Sequence, residues 1–251
     1  MTFTIGNKIH RNVLLSCDHG LMIVNRFDCN HEQVGHGQWL LDHGNTSTVE
    51  ASICHETIKN LQEPVIFDVG ANIGTFTTWM AKAFPLGKIH AFEPQRAIFQ
   101  MLSGNAAINN LYNVYTYNIG LGKENKKVEF DEPNYFYKND FGTFSLIENT
   151  IKEKTNNKIT VQIQTLDHFM EYFNIPIVNL IKIDAEGMDL DVLIGGQKTI
   201  KKHLPIIFIE HSDNRRSILG NIKDYLNLFS YDCNVFGNNA LFISQREKNE
   251  G

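Results

Sequence analysis

The stretch VIFDVGANIGTFT, at residues 65–77, combines an acid with two glycines where an apolar run ends. A buried strand that gives way to a helix at such a point is typical of a nucleotide-binding turn, because the helix N-terminus supplies positive potential. Glycines let a ligand approach the backbone closely. The sequence therefore predicts a cofactor site formed by Asp68, Gly70, Ala71, Asn72 and Gly74.

The middle position of this turn separates two cofactor classes. Dinucleotide-binding turns carry the pattern GxGxxG, whose second glycine lets a pyrophosphate rest on the turn. Asn72 stands at that position here. S-adenosylmethionine has no pyrophosphate and needs no such glycine. Its carboxylate suits backbone N–H groups, and its ammonium and sulfonium suit an acid such as Asp68. We therefore favour S-adenosylmethionine over NAD.

Glu93 is a second candidate anchor for the cofactor. It follows the apolar run KIHAF, about 20 residues after the glycine turn, and an acid at that spacing accepts hydrogen bonds from ribose hydroxyls. NAD and S-adenosylmethionine both carry a ribose. Glu93 therefore predicts a nucleoside cofactor without choosing between the two.

The segment IKIDAEG, at residues 181–187, offers candidate catalytic groups. Lys182 and Asp184 lie two apart on a predicted strand, so they face the same side of it. Asp184 falls at the strand end, where it can act as general base on an acceptor hydroxyl. Lys182 could orient Asp184 or lower the pKa of the acceptor. The alternative is a Lys–Asp pair that only closes a surface.

The next predicted strand, PIIFI, ends in Glu210 and His211. An adjacent strand would place this pair beside Asp184. Histidine titrates near neutral pH and is a natural base, whereas a purely structural histidine is the alternative. Together with Glu186 these acids offer oxygen ligands for Mg²⁺, but their spacing is not that of a dedicated cage. We therefore assign no metal site.

The elements that must position these residues alternate between strand and helix over residues 63–120, which is typical of a parallel sheet with covering helices. A polar excursion at about 121–178 is too long for a simple connection. Strands and helices then resume to residue 251, with single helices expected over 188–203 and 214–229. We therefore predict a domain at 63–251 that contains this excursion.

Residues 1–62 predict an N-terminal extension. Apolar runs on both sides of Asp18, His19 and Gly20 indicate a hairpin. A polar, His-rich loop follows, and then a helix near SICHETIKNL, with Ser47 or Thr48 as N-cap. Two loops are candidates for the acceptor side of the site. They are the loop around Gly37 and Trp39 and the loop with Gly142, Thr143 and Ser145.

Composition and charge narrow the function classes. The chain has 251 residues and a net charge of −5, so it lacks the basic excess of proteins that grip nucleic acid. Cys17, Cys29, Cys54 and Cys233 form no CxxC pair, and reduced thiols suit the cytoplasm. No apolar run approaches the ~20 residues of a membrane helix. We expect a cytoplasmic protein without nucleic-acid or membrane partners.

Four motifs occur in order along the chain, DVGANIG, FEP, IKIDAEGMDLDVLIGG and PIIFIEH. From about Pro64 to Ser244 the sequence resembles the FkbM family of S-adenosylmethionine-dependent methyltransferases. The resemblance implies an α/β, Rossmann-like class I methyltransferase fold, with a seven-stranded, mostly parallel sheet, a reversed final strand and flanking helices. It also implies O-methylation of a sugar, glycan or small metabolite.

The resemblance assigns residues as well. The turn residues Asp68, Gly70, Asn72 and Gly74 would line the cofactor, and Glu93, followed by Pro94, would hold the ribose. The segment just past the third strand would flank the adenine, and its members are Asn118, Ile119, Gly120 and Leu121.

Three other functions remain open at this point. An NAD-dependent oxidoreductase shares the turn and Glu93. An RNA 2′-O-methyltransferase would use a lysine–acid set such as Lys182, Asp184 and Glu210 with Lys201 or Lys202. A non-catalytic binding protein could retain the methyltransferase fold.

Overall fold

The computed structural model describes residues 10–28, 35–143, 153–210 and 216–245, and of Arg216 and Ser217 only the backbone. The chain begins with the predicted antiparallel hairpin, β1 (Asn12–Cys17) and β2 (Gly20–Asn25). Two helices follow, α1 (His36–His43) and α2 (Thr48–Ile58).

Helix α1 corrects the prediction of a His-rich loop. Leu40 is fully buried with Met22 of β2, so tertiary packing stabilises a short helix that its polar composition did not reveal. Gly44 ends the helix in the left-handed conformation, with φ +78°. Ser47 stands at the N-cap position of α2, but its hydroxyl pairs with the hydroxyl of Thr75 at 3.0 Å instead of capping the helix.

The first half of the central sheet follows the predicted alternation. It consists of β3 (Val65–Val69), α3 (Thr75–Ala83), β4 (Lys88–Phe92), α4 (Arg96–Ile108) and β5 (Val114–Tyr117). Both strand pairs are parallel. Every residue of β3 is buried, as expected for a β-branched strand covered on both faces.

The excursion forms a sheet of its own. Its strands are β6 (Gly120–Leu121), β7 (Lys126–Pro133) and β8 (Lys154–Gln164), in the order β6-β8-β7. Strand β5 ends at Tyr117, and β6, which follows it closely, pairs with β8 instead of joining the central sheet.

The second half of the central sheet begins after α5 (Leu166–Tyr172). Its elements are β9 (Leu180–Ile183), α6 (Asp189–Gly195), α7 (Gln197–His203), β10 (Ile206–Glu210), α8 (Arg216–Asn227), β11 (Tyr231–Phe236) and β12 (Asn239–Ser244). The single helix predicted over 188–203 is two helices that meet at Gly196. A Cβ there would lie 2.6 Å from Leu166, so this close approach requires glycine.

The seven central strands lie in the order β11-β12-β10-β9-β3-β4-β5. Strand β12 runs in the direction opposite to the other six strands of this sheet, which confirms the predicted reversed final strand. The chain runs outward from β3 in one direction and from β9 in the other, so these two central neighbours form the topological switch point of the sheet. Ligands of open α/β sheets bind outside the carboxyl ends of the strands at such a point.

Helices cover the sheet on both faces. One face buries Phe67, Phe92 and Phe169, and the other buries Ile66 and Phe208. A third cluster joins the N-terminal elements to α4 and to the loop after β7, and its members include Met22, Val24, Leu40, Met101, Tyr135 and Phe141. In the described part of the chain, no helix has the length and apolar character to cross a membrane. The domain boundary at residue 62 stays a prediction.

Candidate active site

A cavity opens at the carboxyl ends of β3, β4 and β9, at the switch point. With its open mouth it holds about 560 Å³. The predicted site residues on its wall are Gly70, Asn72, Glu93, Pro94, Ile119, Gly120, Leu121 and Asp184. The wall residues that the sequence did not identify as cofactor or catalytic positions are Val69, Phe92, Gln95, Gly142, Ala185, Glu186 and Met188.

The glycines of the turn are required by packing. Gly70 has φ +78°, and a Cβ there would overlap the carbonyl oxygen of Asp184. Gly74 has φ +89°, and a Cβ there would lie 2.6 Å from Leu102. Both positions combine a left-handed backbone with close contact, which only glycine tolerates without strain. Gly70 borders the cavity, whereas Gly74 and Ala71 lie outside its wall.

All five backbone N–H groups of residues 70–74 donate within the protein. The N–H groups of Gly70 and Ala71 donate to the carbonyl of Phe92, and that of Asn72 donates to Glu93. The last two donate inside the turn, from residue 73 to the Asn72 side chain and from residue 74 to the carbonyl of Ala71. The turn therefore offers no free donor, and the expectation that its N–H groups hold a cofactor carboxylate does not fit this geometry.

Glu93 combines deep burial with a position on the cavity wall. Its side chain accepts hydrogen bonds from the N–H groups of Asn72 at 3.0 Å and Gln95 at 2.7 Å, one on each oxygen. Burial raises the pKa of Glu93 to about 7, although these two N–H groups counteract part of the shift. Each carboxylate oxygen retains a lone pair for a further hydroxyl donor.

Asp68 and Lys182 form a buried ion pair below the turn. Their strands pair them in register, and Lys182 Nζ lies 3.4 Å from Asp68 Oδ1. The hydroxyl of Thr77 donates to the other Asp68 oxygen at 2.5 Å. Burial lowers the pKa of Lys182, but the charges of Asp68, Asp184 and Glu210 outweigh that effect and raise it above its ordinary value. Neither residue of the pair borders the cavity, so Asp68 lies away from the position expected for a cofactor ligand.

Asp184 is the predicted catalytic residue that does border the cavity. It follows β9 directly, and its backbone N–H donates to the carbonyl of Val69 at 2.9 Å. Its Oδ2 lies 3.8 Å from Lys182 Nζ. The next residue, Ala185, donates its N–H to the side chain of Asp189 at 2.9 Å, which fixes the turn into α6. A partly exposed carboxylate is thus held at the mouth of the cavity with a buried cation behind it.

Glu210 ends β10 outside the cavity wall; the residue as a whole is exposed, but its carboxyl group lies among other protein groups. The negative charge of Asp184 is the first cause that raises the pKa of Glu210, to about 8, and burial is the second. Lys182 opposes this shift. His211 lies outside the described residues. Within the described ranges, no cluster of three His, Cys, Asp or Glu side chains could hold a metal ion.

Two side chains stabilise the strand end that carries Glu93. Asn118 is exposed and donates to the carbonyls of Glu93 at 2.9 Å and Pro94 at 3.0 Å, so it supports this wall without lining it. Gln95 lines the cavity and donates to the carbonyl of Phe141 at 2.8 Å, a role that the sequence did not predict. Its position two residues after Glu93 was the available signal, but its partner lies far along the chain.

Comparison with known proteins relates this chain to methyltransferases. Residues 68–234 match the Methyltransferase FkbM domain. Methyltransferase 1 of Beauveria bassiana is 30% identical over 161 residues, which cover 57% of this chain and 62% of that protein.

Two further relatives carry more specific names. The hexuronic acid methyltransferase AglP of Haloferax volcanii is 28% identical over 134 residues, which are 53% of this chain and 50% of that protein. The 2-O-methyltransferase NoeI of Sinorhizobium fredii is 24% identical over 174 residues, which are 63% of this chain and 69% of that protein. The chain thus spans less than two thirds of the length of Methyltransferase 1 and half that of AglP.

Among solved structures, an FkbM methyltransferase from Methylobacillus flagellatus KT aligns with a TM-score of 0.53 at 17% identity. The alignment covers 72% of this chain and 44% of that one. At this identity the likeness shows a shared fold.

Proposed function

Because this chain belongs to the FkbM methyltransferase family, we propose that it transfers the methyl group of S-adenosylmethionine to a hydroxyl oxygen of a sugar or other small metabolite. The observation that carries this proposal is the pairing of Glu93 and Asp184 on the wall of one cavity at the switch point of the sheet. Glu93 is suited to accept hydrogen bonds from the ribose of the cofactor, and Asp184 is suited to take a proton from the acceptor hydroxyl.

The cavity fits this cofactor better than a dinucleotide. Glu93 would accept the ribose hydroxyls on its remaining lone pairs, and the apolar side chains of Ile119 and Met188 would flank the adenine. The middle position of the turn carries Asn72 instead of the glycine on which a pyrophosphate rests, which supports S-adenosylmethionine over NAD. When bound, this cofactor supplies an activated methyl group on a positively charged sulfur.

Asp184 would act as the general base. Its Oδ2 faces Lys182, so the other carboxylate oxygen, Oδ1, would take the proton of the acceptor hydroxyl. The hydroxyl oxygen of the acceptor would gain the methyl group at the same time. Lys182 would act through Asp184 as a positioning residue, because it is buried and its contacts among the described residues are with carboxylates, a backbone carbonyl and the ring of Phe76. The negative charge of Asp184 raises the pKa of Glu210, so Glu210 takes up a proton more readily than an isolated glutamate does.

The names of two relatives support a sugar acceptor. AglP is described as a hexuronic acid methyltransferase and NoeI as a 2-O-methyltransferase. In this chain the described charged groups on the cavity wall are the carboxyl groups of Glu93, Asp184 and Glu186. We therefore expect a neutral sugar to be a better acceptor than a hexuronate.

Calorimetric titration with S-adenosylhomocysteine tests the cofactor assignment. We expect the parent to bind it and not NADH, and Glu93→Ala to weaken binding by about 30- to 100-fold, the effect of losing hydrogen bonds to a charged group. Glu171→Ala, which removes an exposed glutamate of α5, should bind like the parent. A parent that binds NADH and not S-adenosylhomocysteine would contradict the proposal.

Transfer of labelled methyl groups tests the acceptor. Neutral hexoses, nucleotide sugars, hexuronates and RNA should be offered in parallel. We expect label on a sugar hydroxyl. Label on RNA alone would instead support the alternative of an RNA 2′-O-methyltransferase.

A further inference from the structure

Asp28 lies in the N-terminal extension, 40 residues before the family match begins, yet it is buried and only 3% exposed. Its carboxylate joins two distant segments. Oδ2 accepts a hydrogen bond from the N–H of Gly37 at 2.8 Å, and Oδ1 accepts one from the N–H of Phe141 at 3.0 Å. One buried carboxylate therefore connects the start of α1 with the loop that contains Phe141, which lies 113 residues after Asp28.

Backbone contacts beside Asp28 hold the same loop. The N–H of Asn139 donates to the carbonyl of Phe27 at 3.0 Å, and Asp28 and Asn139 form an isolated parallel bridge. The side chain of Asn25 donates to the carbonyl of Tyr135 at 3.0 Å. The loop is thus docked on the extension at several points, with Asp28 in the middle.

The other side of this loop reaches the cofactor cavity. The carbonyl of Phe141 accepts a hydrogen bond from the side chain of Gln95. The backbone N–H of Gln95 donates to the carboxylate of Glu93. Gly142 lines the cavity, and a Cβ there would lie 3.1 Å from the side-chain nitrogen of Asn72. Phe141 is therefore held from the extension through its N–H and from the cavity through its carbonyl.

The same arrangement places two titratable groups next to the backbone N–H groups that Asp28 binds. His36 and Asp140 each precede a residue whose N–H is bound by Asp28. Burial is the first cause that raises the pKa of Asp140; the charge of His36 lowers it and that of Asp184 raises it. Asp140 therefore lies within electrostatic reach of both α1 and the candidate base.

We propose that Asp28 is a positioning residue of the methyl-transfer site, whose carboxylate fixes residues 139–143 and thereby holds Gly142 in place on the wall of the cofactor cavity. Through Asp28 the N-terminal extension sets how tightly the cavity holds its cofactor. This inference rests on the proposed function for the identity of that cofactor, and on the hydrogen bonds above for the fixing of the wall.

Asp28→Asn tests this role with little change in size. Asparagine has a single side-chain oxygen, so it accepts from Gly37 or from Phe141 but not fully from both, and its amide nitrogen opposes the remaining N–H. We expect faster amide hydrogen exchange in residues 139–143 and an affinity for S-adenosylhomocysteine about tenfold lower. Asp42→Asn removes an equal charge from the exposed face of α1, where Asp42 accepts from Gln38, and should change neither quantity.

The outcomes separate a positioning role from a structural one. If Asp28→Asn lowers the midpoint of thermal unfolding but binds S-adenosylhomocysteine within twofold of the parent, the proposal is wrong. Unchanged exchange in residues 139–143 would also overturn it. If the parent does not bind S-adenosylhomocysteine, the proposed function fails, and the exchange data still decide whether Asp28 fixes the wall. Should Asp28→Asn not fold, Gln95→Met releases the carbonyl of Phe141 from the cavity side, and exchange in residues 139–143 should again accelerate.

Discussion

The cavity has two walls of different construction. The turn wall consists of Val69, Gly70 and Asn72 with residues 93–95, and its long-range hydrogen bond between Asn72 and Glu93 spans 21 residues. The loop wall is the segment 139–143, which borders the cavity at Gly142 and is held by Asp28 through a hydrogen bond that spans 113 residues. The first wall is built at the ends of two paired neighbouring strands, whereas the second depends on contacts between the N-terminal extension and the loop after β7. The geometry of the turn wall therefore depends on residues close together in the sequence, whereas the geometry of the loop wall depends on residues far apart.

Two glutamates at the site have raised pKa values for different reasons. Burial within the turn wall raises the pKa of Glu93 to about 7. The charge of Asp184 is the first cause that raises the pKa of Glu210, to about 8. A change at Asp184 should therefore shift the titration of Glu210 more than that of Glu93, so the two carboxyl groups can be separated by mutation.

The largest expected effect comes from breaking the contact between the turn wall and the strand that carries the base. In Gly70→Ala the new Cβ meets the carbonyl of Asp184, and φ is +78°. We expect the free energy of unfolding to fall by about 2–5 kcal/mol, the sum of left-handed strain and overpacking. Gly44→Ala has the same φ of +78° with nothing within 4 Å, so it should cost only the strain, about 1–2 kcal/mol. Urea unfolding measures both, and equal losses would refute the close-approach explanation.

A smaller effect should follow from neutralising the base. We expect Asp184→Asn to lower kcat by about 100-fold, because proton transfer by a placed base contributes that much or more. Its affinity for S-adenosylhomocysteine should stay within about threefold, since Glu93 still holds the ribose. Asp191→Asn, at a surface ion pair with Lys123, is the matched control. Turnover at the parental rate would show that Asp184 is not the base.

The smallest effect concerns the pH dependence of cofactor binding at the turn wall. Only the ionised form of Glu93 accepts hydrogen bonds on both oxygens, and its pKa of about 7 means that a proton occupies it at lower pH. Affinity for S-adenosylhomocysteine should therefore fall as the pH drops through 7, by about tenfold between pH 8 and pH 6. Titrations at several pH values measure this slope. Glu93→Gln should bind more weakly and lose that part of the slope. A slope equal to the parent's would mean that another group controls binding.

The turn wall was readable in the sequence because its signals are local. A buried β-branched strand, two glycines and an acid at the next strand end predict β3, β4 and Glu93 directly. Even so, the expected use of the turn was partly wrong. Its N–H groups bind Phe92, Glu93 and the turn itself, a result that depends on how closely β4 approaches.

The loop wall was largely hidden in the sequence. Gly142 was expected to face the acceptor, but nothing near Asp28 in the chain shows that its partner is Phe141. Helix α1 was missed for a related reason: its burial comes from packing against β2 rather than from an apolar periodicity of its own. The break at Gly196 likewise reflects contact with Leu166, which lies in a different helix.

The bond between Asp28 and Phe141 bears on how relatives of this protein can exchange parts. A chimera with a crossover anywhere between residues 29 and 140 would inherit the carboxylate from one parent and the loop from the other. The buried N–H group of Phe141 would then depend on a carboxylate with which it had not evolved. Segments on the two sides of such a junction should be transplanted as a pair if a new acceptor preference is to be carried over intact.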